Sequence, residues 1–388
     1  MVEPIVGMRG TKYTGATEGT IQRDVADKIL LLQPDDAPLL IFTRNIGGKE
    51  ASDAPKFEWL EDVLLPNVLS ITGTGTGSPI TCAAGEETRV RVGDILIAPN
   101  GESILVTVIA SGSLTVERSK GGIAAYDFAT PGEVVICGNA LMEGSDYAEF
   151  KYTKKEFLDN YVQIFKDSVE LTEIQNASKS YGGNDRKFQQ MKKAIEHKRA
   201  IEQAFLFGDK FEDLTGAQAR RGTGGLINFI TTNVTDIVGG VITEADLETF
   251  CRTLFRYHPT VVAPTKLFIC NPVMLSAFTF WAKNALVIDQ NEKTYGMRIA
   301  RYRSAHGDLD IVKHWLLADF NVFSSYSFAL DPTNVKYRYM AGLDTKFVTD
   351  TQPKSVTKTV DEYRTVCGLQ VMQQKTHGIL KGVTGFAA

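Results

Sequence analysis

The spacing of hydrophobic and polar positions changes along the chain, and in residues 88–122 the apolar runs are short and closely spaced. Short apolar runs there are separated by turn residues, which is typical of strands in a small β structure. Asn100-Gly101 and Ser111-Gly112 supply the turns. The predicted strands are GDILIAP, SILVTVIA and SLTVER. The pattern predicts a small barrel or sandwich-like domain.

Extended segments flank that domain on both sides. KFEWLEDVLLP at 56–66 leads out to it, and strand-like stretches return through residues 138–165. TGTGTGS at 72–78 predicts a flexible joint, because glycine gives the backbone many conformations. We therefore expect a small domain inserted at the tip of a long hairpin.

Residues 185–207 have the helical period, and Gly208 is expected to end the helix. Its length is about 35 Å at about 1.5 Å per residue. Lys192, Glu196 and Arg199 lie at spacings that give opposite-charge pairs along one side. The predicted apolar face contains Phe188, Met191, Ile195, Ala204 and Phe205.

Shorter elements mix strands and helices. Val25, Ile29 and Leu32 share a helical stripe, which Pro34 and Pro38 are expected to end. Thr243 and Asp246 are spaced as an N-terminal capping box, residues 265–272 predict a buried strand followed by a helix, and residues 308–317 alternate as a strand. Because strands and helices do not alternate regularly, the predicted class is α+β.

Composition narrows the possible functions. The chain has 388 residues, 43% hydrophobic and 23% charged, with a net charge of −4. This balance argues against tight sequence-independent nucleic-acid binding, which needs clustered Lys and Arg. The five cysteines are scattered without a CxxC pair, so free buried thiols are favoured over zinc or disulfides. The first 15 residues lack a signal-peptide pattern, and no apolar run is long enough for a membrane span.

Candidate chemistry is sparse. His306, Asp308, Asp310 and His314 form the best candidate metal cluster, but their spacing also fits the polar side of an ordinary strand. Ser355 and Lys358 match an SxxK pattern that is common by chance. We predict no catalytic residue, no cofactor and no bound metal.

Hydrophobic surface in the extended segments points instead to a protein partner. Phe57 and Trp59, with the apolar segment at 30–40, carry more apolar surface than a thin hairpin can bury. Arg220 and Arg221 lie in a glycine-rich loop, where an inter-subunit salt bridge and an anion site are equally compatible with the sequence. The predicted inter-subunit contacts are Phe57, Trp59, Leu64, Leu65, Arg220 and Arg221.

Several stretches, taken in order, resemble one family. They are RDVADKILLLQPDDAPLL (23–40), KFEWLED (56–62), NYVQIFKDSVELTEIQNASKSYGG (160–183), FGDKFEDLTGAQARRGTGGLINFI (207–230) and EYRTVCGLQVMQQKTHGILKGV (362–383). The chain resembles major capsid proteins of tailed bacteriophages, in the subgroup with a β-domain inserted in the extended loop. The resemblance implies the Hong Kong 97-like fold, with no catalytic residue and no cofactor.

The resemblance also implies a domain plan. Its parts are an N-terminal arm at 1–45, an extended loop at 46–158 with the inserted β-domain at about 79–137, a peripheral domain at 159–235 with its spine helix at 185–207, an axial domain at 236–330, and C-terminal strands at 331–388 that return to the peripheral domain.

The implied function is assembly into hexamers and pentamers of an icosahedral shell around double-stranded DNA. The implied partners are other copies of the chain, a portal, and cement or scaffolding proteins, with no membrane and no sequence-specific DNA binding. The implied location is the virion, after assembly in the host cytoplasm.

Three alternatives stay open at the level of sequence. The first is an encapsulin-like compartment, which shares the shell fold but holds protein cargo. The second is a metal-dependent hydrolase that uses His306 and Asp308. The third is a carbohydrate-binding β module on a scaffold, although only Tyr126 and Phe128 could supply a sugar platform near the insert.

Overall fold

The computed structural model describes residues 37–45, 48–73, 75–146, 149–178, 184–257, 264–281, 286–287, 293–294, 297–298, 300–314, 316–319 and 323–387. The chain divides into two compact units. One contains residues up to Glu58 and from Asp159 onward, and the other is Trp59–Leu158. We call the second one the inserted unit. The predicted boundaries between arm, peripheral and axial domains stay predictions, as does the helical stripe at 25–32, which lies outside the described residues.

The helices are α1 (Pro38–Asn45), α2 (Glu173–Ala177), α3 (Asp185–Phe207), α4 (Leu226–Phe229), α5 (Glu244–Leu254), α6 (Pro272–Trp281) and α7 (Leu316–Asp319). Short 3₁₀ turns occupy Glu86–Arg89, Pro332–Asn334 and Gln374–Thr376.

The first strands are β1 (Lys49–Ser52), β2 (Lys56–Glu61), β3 (Val68–Ile71), β4 (Ile80–Thr81), β5 (Asp94–Ile97), β6 (Ser103–Ala110), β7 (Ser113–Glu117), β8 (Gly132–Asn139), β9 (Glu156–Tyr161), β10 (Gln163–Thr172), β11 (Phe211–Asp213), β12 (Arg220–Gly222) and β13 (Val234–Asp236). The remaining strands are β14 (Val241–Ile242), β15 (Thr265–Cys270), β16 (Leu286–Val287), β17 (Lys293–Thr294), β18 (Met297–Arg298), β19 (Ala300–Arg303), β20 (Asp308–Lys313), β21 (Ser327–Leu330), β22 (Val335–Met340), β23 (Lys346–Val348), β24 (Lys358–Val371), β25 (Gly378–Lys381) and β26 (Gly385–Phe386).

The inserted unit contains a six-stranded antiparallel barrel. Its strand order is β3-β8-β5-β6-β7-β4, and the bridge between Ile71 and Cys82 brings the two edges together. The Thr72 N–H donates to the Thr81 carbonyl at 2.8 Å across the same seam. Closure leaves no open sheet edge, which protects a small β domain from pairing with other chains. The predicted strands and turns of residues 93–118 are confirmed.

The barrel begins earlier than the sequence predicts. β3 starts at Val68, before the predicted boundary near residue 79, and it pairs with β8 from Val68 to Ile71. The glycine-rich stretch at 72–78 therefore connects two barrel strands, so its interpretation as a joint ahead of the domain is wrong. Gly73 and Gly75 have φ of 120° and 66°, which few other residues adopt.

A buried ion pair fixes the long loop that follows β7. The Glu102 side chain is fully buried and accepts from Arg118 at 2.8 and 2.7 Å. It also accepts from the backbone N–H groups of Ser119 at 2.9 Å and Tyr126 at 2.7 Å. Burial alone raises the pKa of this carboxyl, but Arg118 and the two N–H groups outweigh it and hold the pKa below its usual range.

The other unit is built on two sheets. A five-stranded sheet has the order β1-β22-β24-β10, with β23 also paired to β24, and a seven-stranded sheet has the order β13-β25-β21-β15-β20-β19-β16. One hydrophobic core lies between α1, α3 and the strands, and includes Leu39, Phe205, Tyr337 and Leu369. A second core surrounds α5, α6 and β15, and includes Phe250 and Phe278.

Helix α3 has the predicted bounds. The Asn184 side chain caps it by accepting from the Lys187 N–H at 3.1 Å, and Gly208 ends it. The predicted apolar face is only partly correct, since Met191 is 50% exposed. The buried residues lie in the second half of the helix and are His197, Ile201, Glu202, Phe205 and Leu206.

Other predictions of local structure can be compared with the structure in the same way. The capping box of Thr243 and Asp246 at the start of α5 is confirmed, and so is the strand at β15 followed by α6. Pro38 is the first residue of α1, and the predicted end of the helix before it lies outside the described residues. Proline is tolerated there since the first turn of a helix has no partner for its N–H groups.

Candidate assembly surface

Phe57 and Trp59 lie on β2 and are buried within the chain, at 6% and 7% exposure. The Phe57 ring packs so closely on Gly368 that a Cβ there would lie 2.9 Å from a ring carbon. The Arg338 guanidinium lies 5.7 Å from the centre of the Phe57 ring. The interpretation of these two aromatics as surplus surface is therefore wrong, although a direct inter-subunit contact by their edges stays a prediction.

Leu64 and Leu65 follow β2 and are exposed, Leu64 at 92%. The segments on both sides of the barrel share this property, and we call them the legs of the inserted unit, residues 59–67 and 140–158. The exposed apolar side chains on the legs are Leu60, Val63, Leu64, Leu65, Leu141, Met142, Phe150, Tyr152 and Phe157. A hydrophobic surface of this density marks an interaction site.

The returning leg begins with a turn next to the barrel, and we call residues 141–146 the acidic turn. The Ala140 N–H donates to the Gly93 carbonyl at 2.8 Å, which fixes the base of the turn. The Ser145 N–H donates to the Met142 carbonyl at 3.1 Å, and Gly144 has a φ of 77°, so the turn is a defined one. Met142 is 87% exposed at its tip.

Arg220 and Arg221 lie on β12, which pairs with β11. Arg221 Nε donates to Glu212 Oε1 at 2.7 Å across this ribbon. Arg220 is exposed and sits opposite Asp213. The ion pair of Arg221 is thus made within the chain, whereas the Arg220 side chain is exposed.

A row of cations crosses the open face of the five-stranded sheet, and sequence analysis missed it. In the strand register Lys166 of β10 is opposite Arg364 of β24, and Arg364 is opposite Lys346 of β23. We call these three residues the basic row. The exposed alternate positions of β10 signal an outward face, but no sequence pattern shows which strands lie beside it.

Glu202 joins three parts of the chain under this sheet. It is fully buried, although it lies in a helix that is rich in charged residues. Its two carboxylate oxygens accept from the N–H groups of Leu39 at 2.8 Å and Leu40 at 2.7 Å, in the first turn of α1. His314 Nε2 lies 2.9 Å from Glu202 Oε1. A carboxylate is favoured at this position because the N-terminus of a helix carries partial positive charge.

A second carboxylate, Asp344, holds the other end of α1. It lies 3.3 Å from the Arg44 guanidinium, contacts Lys49 Nζ, and accepts from the Tyr337 hydroxyl at 3.0 Å. Burial alone raises its pKa, but these donors, Lys49 first, hold the pKa below the usual range. Both ends of α1 are therefore tied by charge to the body of the chain.

Arg186, in the first turn of α3, is also paired. It donates to Asp361 at 2.6 and 2.8 Å from the first turn of α3. This guanidinium is the main reason that the pKa of Asp361 lies below its usual range. The pair ties α3 to β24 in a bidentate geometry.

The candidate metal residues have separate partners. His306 Nε2 lies 3.0 Å from Glu248, Arg301 donates to Asp310 at 2.8 Å, and His314 points to Glu202. In the part of the chain that the structure describes, no group of three His, Cys, Asp or Glu side chains is arranged to hold a metal ion. The structure therefore does not bring His306, Asp308, Asp310 and His314 together as the metal site that a hydrolase would need.

The remaining nucleophile candidates have ordinary environments. Lys358 of the SxxK pattern pairs with Glu170 on the neighbouring strand. Burial raises the pKa of the Cys251, Cys270 and Cys367 thiols to about 12, which keeps them protonated. Cys137 is the exception to the prediction of buried thiols, because it is exposed. None of the helices that the structure describes has the length and hydropathy of a membrane span.

Comparison with known proteins identifies the family. The family model of the SU10 major capsid protein matches residues 8–384. The major capsid protein of Pseudomonas phage PaMx41 is 21% identical over 334 residues, which cover 84% of this chain and 80% of that protein. The capsid asymmetric unit of cyanophage A-1(L) aligns with a TM-score of 0.52 and 8% identity, over 96% of this chain and 99% of that chain.

The SrpI encapsulin of Synechococcus elongatus PCC 7942 aligns with a TM-score of 0.42 and 11% identity, over 60% of this chain and 80% of that chain. A likeness this loose carries no argument for a cargo compartment. The fold is α+β and Hong Kong 97-like, as the sequence predicts, and copies of the protein build the shell of a phage virion. Since the family model spans nearly all of the sequence, the chain belongs to the SU10 major capsid protein family.

Proposed function

We propose that copies of this chain form hexamers and pentamers that close into an icosahedral shell around double-stranded DNA. The observation that carries the proposal is the apolar surface of the legs. Leu64 is 92%, Met142 87%, Phe150 82% and Phe157 71% exposed. A single copy leaves these side chains in water, and a lattice of identical copies covers them.

The legs also lack the structure needed for stability by themselves. β2 and β9 form a sheet of only two strands, and such a ribbon is marginal in water. Contact with a neighbouring copy supplies partners for its edges and its apolar side chains. Each subunit then buries an obligate interface of roughly 2,000 Å² or more.

Within this proposal the earlier contact residues take distinct roles. Leu64, Leu65 and Arg220 make inter-subunit contacts directly, since they are exposed. Phe57, Trp59 and Arg221 act indirectly, by holding their own strands through contacts within the chain. The arm, peripheral and axial assignments made from the resemblance describe where each part lies in a capsomer.

The other partners in this proposal, a portal and cement or scaffolding proteins, follow from the function of a shell that encloses DNA. A shell that is filled with DNA needs a portal, and cement or scaffolding proteins supplement the contacts between copies. The net charge of −4 suits a wall that encloses DNA without sequence-specific binding. Assembly takes place in the host cytoplasm.

Electron microscopy of the purified chain tests the proposal. We expect capsomers or closed shells for the natural sequence. We expect free subunits for Leu64→Asp, because every interface in the lattice would then contain a carboxylate at the position of an apolar contact. Val108→Asp is the matched control, since Val108 is an exposed apolar residue of barrel strand β6, at 54%, outside the legs. A natural chain that stays monomeric at high concentration contradicts the proposal, as does a Leu64→Asp chain that assembles normally. Nuclease-resistant DNA inside particles from infected cells tests the cargo.

A further inference from the structure

The open face of the five-stranded sheet carries unbalanced positive charge. Lys166, Arg364 and Lys346 lie side by side on three neighbouring strands. Neighbouring strands are about 4.8 Å apart, so the outer two cations are separated by about 10 Å. The opposite face of these strands packs on α3, where His197 Nδ1 lies 2.7 Å from Asp167. The basic row therefore faces outward.

Among the described residues, one carboxylate, that of Glu362, forms ion pairs with the basic row. Glu362 lies 2.6 Å from Lys166 Nζ through one oxygen and 2.6 Å from the Arg364 guanidinium through the other. Lys166 and then Arg364 hold the pKa of Glu362 below its usual range. Among the described residues, Lys346 has no carboxylate within ion-pair distance. The row keeps an excess of positive charge after its internal pairing.

Exposed apolar side chains lie beside the cations on the same face. Ile164 is 67% exposed and Val348 is 39% exposed. Val348 is opposite Glu362 in the strand register, and Ile164 is two residues before Lys166. A phosphate backbone makes little use of aliphatic contacts, whereas protein partners combine apolar and charged contacts. The face is thus suited to a peptide segment with acidic and aliphatic side chains.

The acidic turn of the inserted unit has this composition. Its sequence is LMEGSD, with two carboxylates, two large aliphatic side chains and no basic residue. Met142 is 87% and Leu141 46% exposed, and Glu143 and Asp146 are exposed as well. Among the described residues neither carboxylate has a cation within ion-pair distance. The turn and the basic row are therefore complementary in charge, and the side chains of both are exposed in the described part of the chain.

We infer that the acidic turn, residues 141–146, docks on the basic row of a second copy of the chain. Glu143 and Asp146 pair with Lys346 and Lys166, while Met142 packs on the Ile164 and Val348 side chains. Complementary charge at the edge of the contact sets which surfaces meet and speeds their association. This inference rests on the proposed assembly of copies into a shell, and it names the chemistry of one contact in that shell.

Charge reversal and its rescue test the inference. We expect Lys346→Glu to raise the protein concentration needed for shell formation at least about tenfold, because a like charge then faces Glu143. The double variant with Glu143→Lys restores the opposite pairing and returns that concentration to within about threefold of the natural chain. Light scattering and electron microscopy measure assembly, and circular dichroism confirms that each variant is folded.

Lys187→Glu is the matched control, because Lys187 is an exposed lysine on α3, on the other side of the sheet. It makes the same change in net charge and leaves assembly unchanged. If Lys346→Glu assembles like the natural chain, or if the double variant is no better than the single one, the inference is wrong while shell formation stands. If Lys346→Glu assembles normally but binds DNA less, the basic row is a phosphate surface and the inference is likewise wrong. Failure of the natural chain to assemble contradicts the proposed function itself.

Discussion

At the scale of single residues, the sequence gives the weakest signal for charged and polar side chains that are buried. Glu202 sits in a helix whose bounds the sequence predicts correctly, yet its partners Leu39 and Leu40 are 163 and 162 residues away along the chain. Periodicity describes only near neighbours, so it gives no sign that Glu202 is buried. The same limit applies to Lys166 and Arg364, whose shared row exists only in the strand register.

His377 gives a prediction at this scale. It is fully buried, accepts from the Asp331 N–H at 3.1 Å and donates to the Met372 carbonyl at 3.0 Å. Burial lowers the pKa of its imidazole from 6.5 to about 4. Between those pH values the unfolded chain binds a proton that the folded chain does not. The free energy of unfolding therefore falls as the pH drops from 6.5 to 4, by about 3 kcal/mol for this one group.

Urea unfolding at pH 7.5, 6 and 5 measures that loss. His377→Gln is expected to be less stable at pH 7.5 by about 1 kcal/mol, through weakened hydrogen bonds, but to lose less stability on acidification than the natural chain. His306, which is partly exposed, serves as the control: His306→Gln leaves the pH dependence close to that of the natural chain. A His377 ring that titrates near 6.5 by NMR contradicts the prediction.

Secondary-structure elements were predicted well where a local signal fixes their ends. The cap at Thr243 and the glycine at 208 mark ends that agree with the structure. The sequence analysis places Pro38 only after a helix, whereas in the structure it begins α1, and proline is compatible with both positions. Helix α1 is short, and α3 supplies the carboxylate that satisfies its first turn.

A prediction for α1 follows from that contact. Glu202→Gln keeps the shape of the side chain but removes its charge and turns one acceptor into a donor. The change leaves a buried N–H of α1 without a partner, and we expect the free energy of unfolding to fall by about 3 kcal/mol. Hydrogen exchange at Leu39 and Leu40 should accelerate more than exchange in the barrel. Glu196→Gln, at an exposed position of the same helix, is expected to change the stability by less than about 0.5 kcal/mol. If the two variants lower the free energy of unfolding equally, the prediction that Glu202 stabilises α1 is wrong.

The whole molecule combines a body and an inserted unit that each have their own core. The barrel core contains Leu69, Leu96, Ile104, Leu114 and Val134, all fully buried. The sequence predicts the insertion because its short-period pattern differs from that of its flanks. The early start of the barrel at Val68 escaped prediction, since β3 is separated from β4 by glycines that look like a linker. Strand pairing across that gap is a contact between elements, and no local pattern encodes it.

Separate cores predict that the two units fold independently. β3 and β8 are adjacent and antiparallel, and the Ile136 N–H donates to the Asn67 carbonyl at 2.7 Å. A linker of about four residues therefore suffices to join Asn67 to Ala140 when the barrel is deleted, at about 3.3 Å per extended residue. We expect the shortened chain to keep the circular dichroism and urea midpoint of the body, and the isolated barrel of residues 66–140 to unfold cooperatively with a free energy of a few kcal/mol. Deletion of only residues 68–97, which removes β3, β4 and β5, should instead cause aggregation, because it leaves the apolar side chains of β6, β7 and β8 without their partners. Loss of folding in the body on clean removal of the barrel would show that the two units depend on one another.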